Sequence, residues 1–356
     1  MKVGIFTGAL ASGGAEKQSL ILASVLGEDH QVCVISYFGS RRLPRMVEFA
    51  EQNNMDVRYL EGSPLSKAFE FRTICKQEQF DAIFCYLPSN NLIGGLFAIG
   101  TGVKKVIGGV RTNSLAFPKS LTVKLAHNLL VDHSIINNQG GLNHFADIGW
   151  KRDKFTFIPN CIDHIPEAID HNHDGPVRII TVARFEPYKD YGTAFKAIRI
   201  LKEKLSGTPV EYRVLGTGSL EEEVKQMIKA EGLEDTVKLI LDPNDINSHY
   251  RECDIFFLTS ILEGFSNTIL EAMAHSLPIV ATNAGDNSTM VREGENGFLT
   301  DVGDAENLAE RLLELAQDSN KLKALGQSSH SIVNDEFGTK AFKRNYTNFL
   351  DKLMQQ

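Results

Sequence analysis

Short apolar, β-branched runs alternate with helical stretches along this whole chain, and that alternation constrains its fold most. Strand-like runs are read at Lys2–Thr7, Gln31–Tyr37, Asp56–Leu60, Asp81–Leu87, Lys105–Arg111, His133–Asn138 and Phe155–Ile158. A second series follows at Val177–Phe185, Glu211–Leu215, Val237–Leu241, Asp254–Thr259, Pro278–Thr282 and Gly297–Thr300. Several are apolar almost without interruption, as in the DIFFLTS run from Asp254 to Ser260. Strands buried on both faces of a parallel sheet look like this. Parallel neighbours need helical crossovers, so the pattern predicts an α/β fold with two Rossmann-like, doubly wound domains.

A length of 356 residues suits two domains, each large enough for its own core. The polar segment Asp163–Pro176, with two prolines and a glycine, reads as the boundary. Residues 1–164 are therefore expected to form the first domain, 165–175 a linker and 176–338 the second domain. In the linker, His171 and His173 are read as solvated. Residues 339–356 read as an amphipathic helix packing back on the first domain, since Phe342, Tyr346, Phe349, Leu350 and Leu353 recur at helical spacing. Leu308, Leu312 and Leu315 mark the face of another helix, with Asp304 as its N-cap.

Charge narrows the partners. Residues 1–170 hold 17 Lys and Arg against 16 Asp and Glu, leaving 20 against 29 in the remainder of a chain whose net charge is −8. Such an acidic protein is a poor nucleic-acid binder. The five cysteines, Cys33, Cys75, Cys85, Cys161 and Cys253, include no C-x-x-C pair and read as reduced packing residues. No signal peptide is read at the N-terminus, and the apolar run Leu92–Val103 is interrupted by four glycines, so the expected location is cytoplasmic or at a membrane surface.

Three motifs carry chemistry. In the first, Glu263-Gly264-Phe265-Ser266-Asn267-Thr268-Ile269-Leu270-Glu271 follows a strand through a glycine turn. A helix starting near Ser266 or Asn267 would aim unpaired amides and the positive end of its dipole at the carboxyl edge of the sheet, where an anionic group binds. Glu263 falls before the helix and Glu271 inside it, so one carboxylate can face a sugar and the other ribose hydroxyls. In the second motif, Ala183-Arg184-Phe185-Glu186-Pro187-Tyr188-Lys189-Asp190 follows a strand, and Arg184 and Lys189 can converge on one diphosphate. In the third, Gly8 and then Ser12-Gly13-Gly14-Ala15-Glu16 sit at a strand-to-helix turn where backbone can approach a phosphate. This is not G-x-G-x-x-G, and no acidic residue ends the second strand, which counts against a dinucleotide site. Taken singly, each motif also reads as an ordinary capped helix or solvated charges.

Together, and with Pro159-Asn160-Cys161-Ile162-Asp163, Gly216-Thr217-Gly218, the Glu271–Thr282 block and Gly294-Glu295-Asn296-Gly297, they make the chain resemble the retaining GT-B glycosyltransferases usually called family 4, in the subgroup with a GGAE-type turn. The resemblance covers essentially the whole length. It implies an acceptor-binding first domain and a nucleotide-sugar-binding second domain facing a central cleft. It implies that Arg184 and Lys189 hold the donor diphosphate, that Glu263 lies beside the donor sugar and that Glu271 binds ribose. Backbone of Phe265, Ser266 and Asn267 would touch sugar and phosphate, and Gly13 and Gly14 would let the first domain close on the phosphates. No cofactor and no metal are expected. The implied donor is a nucleotide-sugar, UDP-linked by preference, and the implied acceptor a glycan or lipid-linked carrier in surface polysaccharide biosynthesis.

Three positions depart from the family pattern. Ser276 and Cys161 stand where it has glycine. Arg111 stands where many members have a histidine, and is assigned a donor-sugar or acceptor contact; an arginine cannot act as a base at neutral pH. His127 lies too far along the chain to replace that histidine. Two segments are candidate membrane or acceptor contacts, Phe38–Arg45 with Arg41, Arg42 and Arg45, and Phe117–Leu130 with Lys119 and Lys124; plain amphipathic surface helices read equally well there. The competing functions are a GT-B-shaped sugar-nucleotide epimerase and a non-catalytic nucleotide-sugar-binding relative.

Overall fold

The computed structural model describes residues 1–11, 13–112, 115, 119–171, 175–205, 207–242 and 245–355. Of the positions singled out above, Ser12, Phe117 and His173 lie outside the described residues. The chain forms two units, one of Met1–Asp163 with Thr339–Gln356, the other of His164–Gly338.

The first unit carries a seven-stranded parallel sheet in the order β3-β2-β1-β4-β5-β6-β7. Its strands are β1 (Lys2–Thr7), β2 (Gln31–Ser36), β3 (Asp56–Tyr59), β4 (Ala82–Cys85), β5 (Lys105–Val110), β6 (His133–Ile136) and β7 (Phe155–Phe157). Its helices are α1 (Gly14–Gly27), α2 (Pro44–Gln52), α3 (Pro64–Glu78), α4 (Pro88–Phe97), α5 (Lys119–Leu125) and α6 (Gln139–Asp147). The second unit has a six-stranded parallel sheet, order β10-β9-β8-β11-β12-β13. These are β8 (Val177–Val182), β9 (Val210–Leu215), β10 (Val237–Ile240), β11 (Ile255–Leu258), β12 (Ile279–Thr282) and β13 (Gly297–Thr300). The helices are α7 (Tyr191–Lys204), α8 (Glu221–Ala230), α9 (Ile246–Glu252), α10 (Asn267–Ala274), α11 (Asn287–Met290), α12 (Ala305–Gln317) and α13 (Ser319–Glu336). Every strand-like run of the sequence contains one of these strands except Glu211–Leu215, which misses the first residue of β9. In each sheet the winding reverses once, between β1 and β4 and between β8 and β11. Such a reversal opens a crevice at the strands' carboxyl ends.

Burial follows the sequence pattern. All four residues of β11 are buried, and Phe195, Tyr212, Phe257, Leu308, Leu312 and Leu315 share one core in the second unit. Fully burying each such aliphatic or aromatic side chain contributes ~1.5–3 kcal/mol. Asp304 caps α12 by accepting from Asn307 N at 3.0 Å. The last helix, α14 (Thr339–Met354), belongs to the first unit. Its Phe342, Tyr346, Phe349, Leu350 and Leu353 join the core that holds Leu20, Phe84 and Ile107. All five cysteines are buried and free, and burial pushes the thiols of Cys33, Cys75 and Cys253 up to about 12. Among the described residues, no helix is long and apolar enough to cross a membrane.

Within the segment read as a linker, Pro166, Ile169 and His171 are bonded to the second unit, and His171, read as solvated, is buried. Ile169 N donates to Ser276 Oγ at 3.0 Å, His171 Nε2 lies 2.9 Å from His275 O, and His330 Nε2 lies 2.8 Å from Pro166 O. Polar composition misleads here because the segment's groups find partners on α10 and α13 rather than water. Ser276, at a family glycine, sits at φ +58°. It takes the left-handed position that ends α10, and its hydroxyl is one of those partners.

His127 is a core residue. Nδ1 lies 2.9 Å from Ser134 Oγ, Nε2 lies 2.9 Å from Lys151 O, and the ring stacks on Phe155 at 4.2 Å. Burial lowers its pKa to about 4 from 6.5. A depressed folded-state value means that this stability is fully present above pH 6.5 and is lost as pH falls towards 4. Denaturant titrations should show wild type losing up to about 3 kcal/mol over that interval relative to His127→Gln.

Candidate active site

The second unit's crevice is built from two loops. After β8, Ala183–Lys189 turns over the strand edge. It is fixed by Phe185, which is fully buried and whose backbone donates to Thr217 O at 2.9 Å and accepts from Leu220 N at 2.9 Å. The Gly216-Thr217-Gly218 turn passes directly beneath: a Cβ at Gly216 would stand 2.0 Å from Ala183 O, and one at Gly218 would stand 2.5 Å from Phe185 O. These glycines are needed for close approach of backbone to backbone. Asp190, at φ +49°, ends the loop and caps α7 through Thr193 N at 3.2 Å.

After β11, Thr259–Glu263 lies against that loop. Thr259 Oγ1 donates to the carbonyls of Lys189 and Asp190, each at 3.0 Å, and Ile261 N donates to Tyr188 O at 2.9 Å. These contacts bring Lys189 Nζ within 2.5 Å of Glu263 Oε1, with side chains only 12% and 10% exposed. Ser260 Oγ donates to the same carboxylate oxygen at 2.7 Å. Behind Glu263, Gly285 at φ +57° leaves no room for a side chain, since a Cβ there would stand 2.0 Å from Glu263 O.

Arg184 is exposed on the same loop. Its Nη2 donates to the Tyr188 hydroxyl at 2.5 Å, and the Tyr188 ring centroid lies 5.9 Å from Arg184 Cζ and 5.4 Å from Lys189 Nζ. One ring thus gathers both cations. Phe265 and Ser266 are buried ahead of α10, and Asn267 is its first residue. Ser266 makes no side-chain cap; its hydroxyl lies 3.2 Å from Thr268 Oγ1. Further along α10, Glu271 Oε2 accepts from the Tyr250 hydroxyl at 3.2 Å. Burial, with the Glu271 charge beside it, holds that hydroxyl well above its ordinary range, so it remains a donor. Tyr188 and Tyr250 carried no signal in the sequence beyond standing near the motifs. Among the described residues, no group of three or more His, Cys, Asp or Glu could hold a metal ion.

The first unit's crevice differs. Gly13 is the N-cap of α1, and the Glu16 carboxylate folds back over it, so that a Cβ at Gly13 would fall 1.8 Å from Glu16 Oε2. Gly14 opens the helix behind it. A carboxylate thus already sits at the helix end where a phosphate was expected. Arg111, after β5, is held by Asn160 Oδ1 at 2.6 Å, by the Tyr346 hydroxyl at 3.3 Å and by the Tyr86 ring at 4.6 Å, leaving Nε unpartnered. The arginine at this position ties the sheet edge to α14. Cys161 is clamped by Gln18, which accepts from its N–H at 3.0 Å and donates to its carbonyl at 2.7 Å.

Gly285→Ala is expected to lower unfolding free energy by about 3 kcal/mol, through left-handed strain and the displaced Glu263 backbone. Gly232 (φ +65°) has open space around it, so Gly232→Ala should cost only about 1 kcal/mol. Equal losses in paired denaturation curves would contradict the packing account.

Residues 165–331 match the family model Glycosyl transferases group 1. The chain is 33% identical over 186 residues to the amylovoran biosynthesis glycosyltransferase AmsK of Erwinia amylovora, across 50% of this chain and 45% of that protein. It therefore spans less than half the length of that relative. It is 26% identical over 352 residues to the N-acetylgalactosamine-N,N'-diacetylbacillosaminyl-diphospho-undecaprenol 4-alpha-N-acetylgalactosaminyltransferase of Campylobacter jejuni, across 91% of this chain and 92% of that protein. Anabaena Alr3699/HepE in complex with UDP superposes with a TM-score of 0.85 at 18% identity, over 99% of this chain and 100% of that one. The second unit carries a glycosyl transferases group 1 domain, in a chain with the GT-B fold.

Proposed function

We propose that the protein is a retaining glycosyltransferase that moves a sugar from a UDP-sugar to a glycan or lipid-linked acceptor in surface polysaccharide assembly. One observation carries the reading: at the second sheet's crevice, Lys189 is held by Glu263, with Arg184 gathered on the neighbouring Tyr188. A diphosphate entering there offers Lys189 and Arg184 a doubly charged partner. Lys189 then exchanges Glu263 for phosphate, and the freed carboxylate faces the sugar. As the bond from the anomeric carbon to the diphosphate oxygen breaks, charge grows on that oxygen, and the two cations stabilise it. The acceptor oxygen bonds to the same face of the anomeric carbon, its proton passes to the departing diphosphate, and UDP leaves. Glu271, positioned by Tyr250, binds the ribose. The cations do the work a metal would do on the diphosphate, so we propose that none is required.

The donor preference is supported by Alr3699/HepE, which has been crystallised with UDP and with UDP-glucose. The acceptor class is supported by the names of the two relatives above.

Purified protein should release UDP from UDP-sugars in the presence of lipid-linked or glycan acceptors, faster than GDP from GDP-sugars and undiminished by EDTA. Lys189→Ala and Arg184→Ala should each lower kcat/KM by ~10²-fold or more, the ~2.7–4 kcal/mol of one lost transition-state contact. Near-wild-type rates in both variants would remove the phosphate assignment. Metal-restored activity would remove the metal-free one. An epimerised sugar-nucleotide without UDP release would point to the epimerase.

A further inference from the structure

One face of the second sheet is polar where a parallel sheet is ordinarily apolar. In β8, Val177 and Ile179 join the core, as Tyr212 and Val214 do in β9. Successive strand residues point to opposite faces, so Arg178, Glu211 and Arg213 stand on the other side. Arg178 and Glu211 are direct neighbours across the two strands. Helix α9 lies on this polar side, where Arg213 Nη1 donates to Glu252 Oε2 at 2.6 Å. Beside that short helix a cavity of about 390 Å³ is lined by residues of β8, β9, the end of α9 and the segment ahead of β8. Its size falls at the lower end of small-molecule sites.

Both signs of charge line this cavity, and the carboxylates are matched within the unit. Glu252 accepts from Arg213, whose Nε donates to Glu211 Oε1 at 2.6 Å. Asp170 Oδ2 accepts from Lys323 Nζ at 2.5 Å, and Asp254 Oδ2 accepts from Arg178 N at 2.7 Å. Two cations are left over. The side chains of Arg178, half-buried, and Arg251, exposed, line the cavity and make no hydrogen bond or ion pair among the described residues. The place is also distinct. Arg178 is the second residue of β8, and Asp254 immediately precedes β11, so the cavity lies at the amino ends of strands whose carboxyl ends carry Lys189 and Glu263.

We propose that this cavity is a second anion site, which takes a phosphate group through the guanidiniums of Arg178 and Arg251. Arginine presents a planar fork of donors that matches phosphate oxygens. A doubly charged group answers both unpaired cations, where a single carboxylate answers one. The phosphate can be the free ion or a monoester, since both offer the same oxygens. Arg251 directly follows Tyr250, which positions Glu271, so the site is attached to the element behind the ribose-binding carboxylate. The inference stands apart from the transfer reading, because neither donor nor acceptor enters its test.

The experiment is calorimetric titration of the full chain with inorganic phosphate and with glycerol 3-phosphate, at constant ionic strength because exposed charges are screened by salt. It is run in an Arg184→Ala/Lys189→Ala background, which removes the cations of the other crevice. That background should bind one or both probes, and the tighter of the two names the source. Adding Arg178→Gln/Arg251→Gln should weaken binding about tenfold or more, the loss of charge-assisted hydrogen bonds. Unchanged thermal midpoints without ligand would show that the variants are folded. In the otherwise wild-type chain, Arg178→Gln/Arg251→Gln should leave the dissociation constant for UDP unchanged. No binding of either probe in the background, or equal binding after the glutamine substitutions, overturns the proposal. A parallel loss of UDP affinity overturns it too, because the two arginines would then serve the crevice at the carboxyl ends.

Discussion

Three hydrogen bonds hold the second unit's site together, those by which the loop after β11 grips the loop after β8. Thr259 Oγ1 donates to the carbonyls of Lys189 and Asp190, and Ile261 N donates to that of Tyr188. The two loops leave adjacent strands on either side of a reversal in winding, so their side chains would otherwise diverge. Once the backbones are joined, Lys189 meets Glu263, Tyr188 gathers both cations, and the α10 N-terminus lies a few residues beyond. The glycines serve the same end. Gly216 and Gly218 let one turn pass under the Arg184 loop, and Gly285 lets another support Glu263 from behind.

Much of this was legible in the sequence, and the rest was hidden for physical reasons. The strands declared themselves because a parallel sheet buries both faces, leaving apolar runs that water-facing segments lack. Their ends were overread by a residue or more where a β-favouring residue continues past the ladder. Tyr37 and Arg111 are examples, and Ala183–Phe185 leaves β8 to bond the turn after β9. The roles read for Arg184, Lys189, Glu263 and Glu271 rested on motif resemblance, and the structure brings two of them into contact. What could not be read was pairing across distance. Lys189 and Glu263 are 74 positions apart, and the service of Tyr250 to Glu271 depends on α9 lying beside α10. The solvated reading of His171 failed for a related cause: composition reports what a stretch could expose, not what it finds to bond.

The first unit has the same topology with different chemistry at its crevice. Glu16 folds over Gly13 where an incoming phosphate would meet repulsion, and Arg111 directs Nη1 to Asn160 and Nη2 to Tyr346. Leu87, at φ +79°, stands at the carboxyl end of β4 with its side chain against Gly8. A non-glycine residue there stores strain that its surroundings must hold. Two like sheets thus present unlike edges, one where Lys189 and Arg184 stand together around Tyr188 and the other where the Glu16 carboxylate covers the helix end. That contrast supports the proposal that the diphosphate binds at the second unit.

The central claim is that Glu263 holds Lys189 in place until a diphosphate takes it over. The dissociation constant for UDP, measured by calorimetry on wild type and on Glu263→Gln, tests it most directly. If the claim holds, removing the carboxylate frees Lys189 and lifts a repulsion, and UDP binds about threefold tighter or more, the size of one part-buried ion pair. Unchanged or weaker binding in the folded variant would mean that Lys189 does not move from Glu263 to the phosphate.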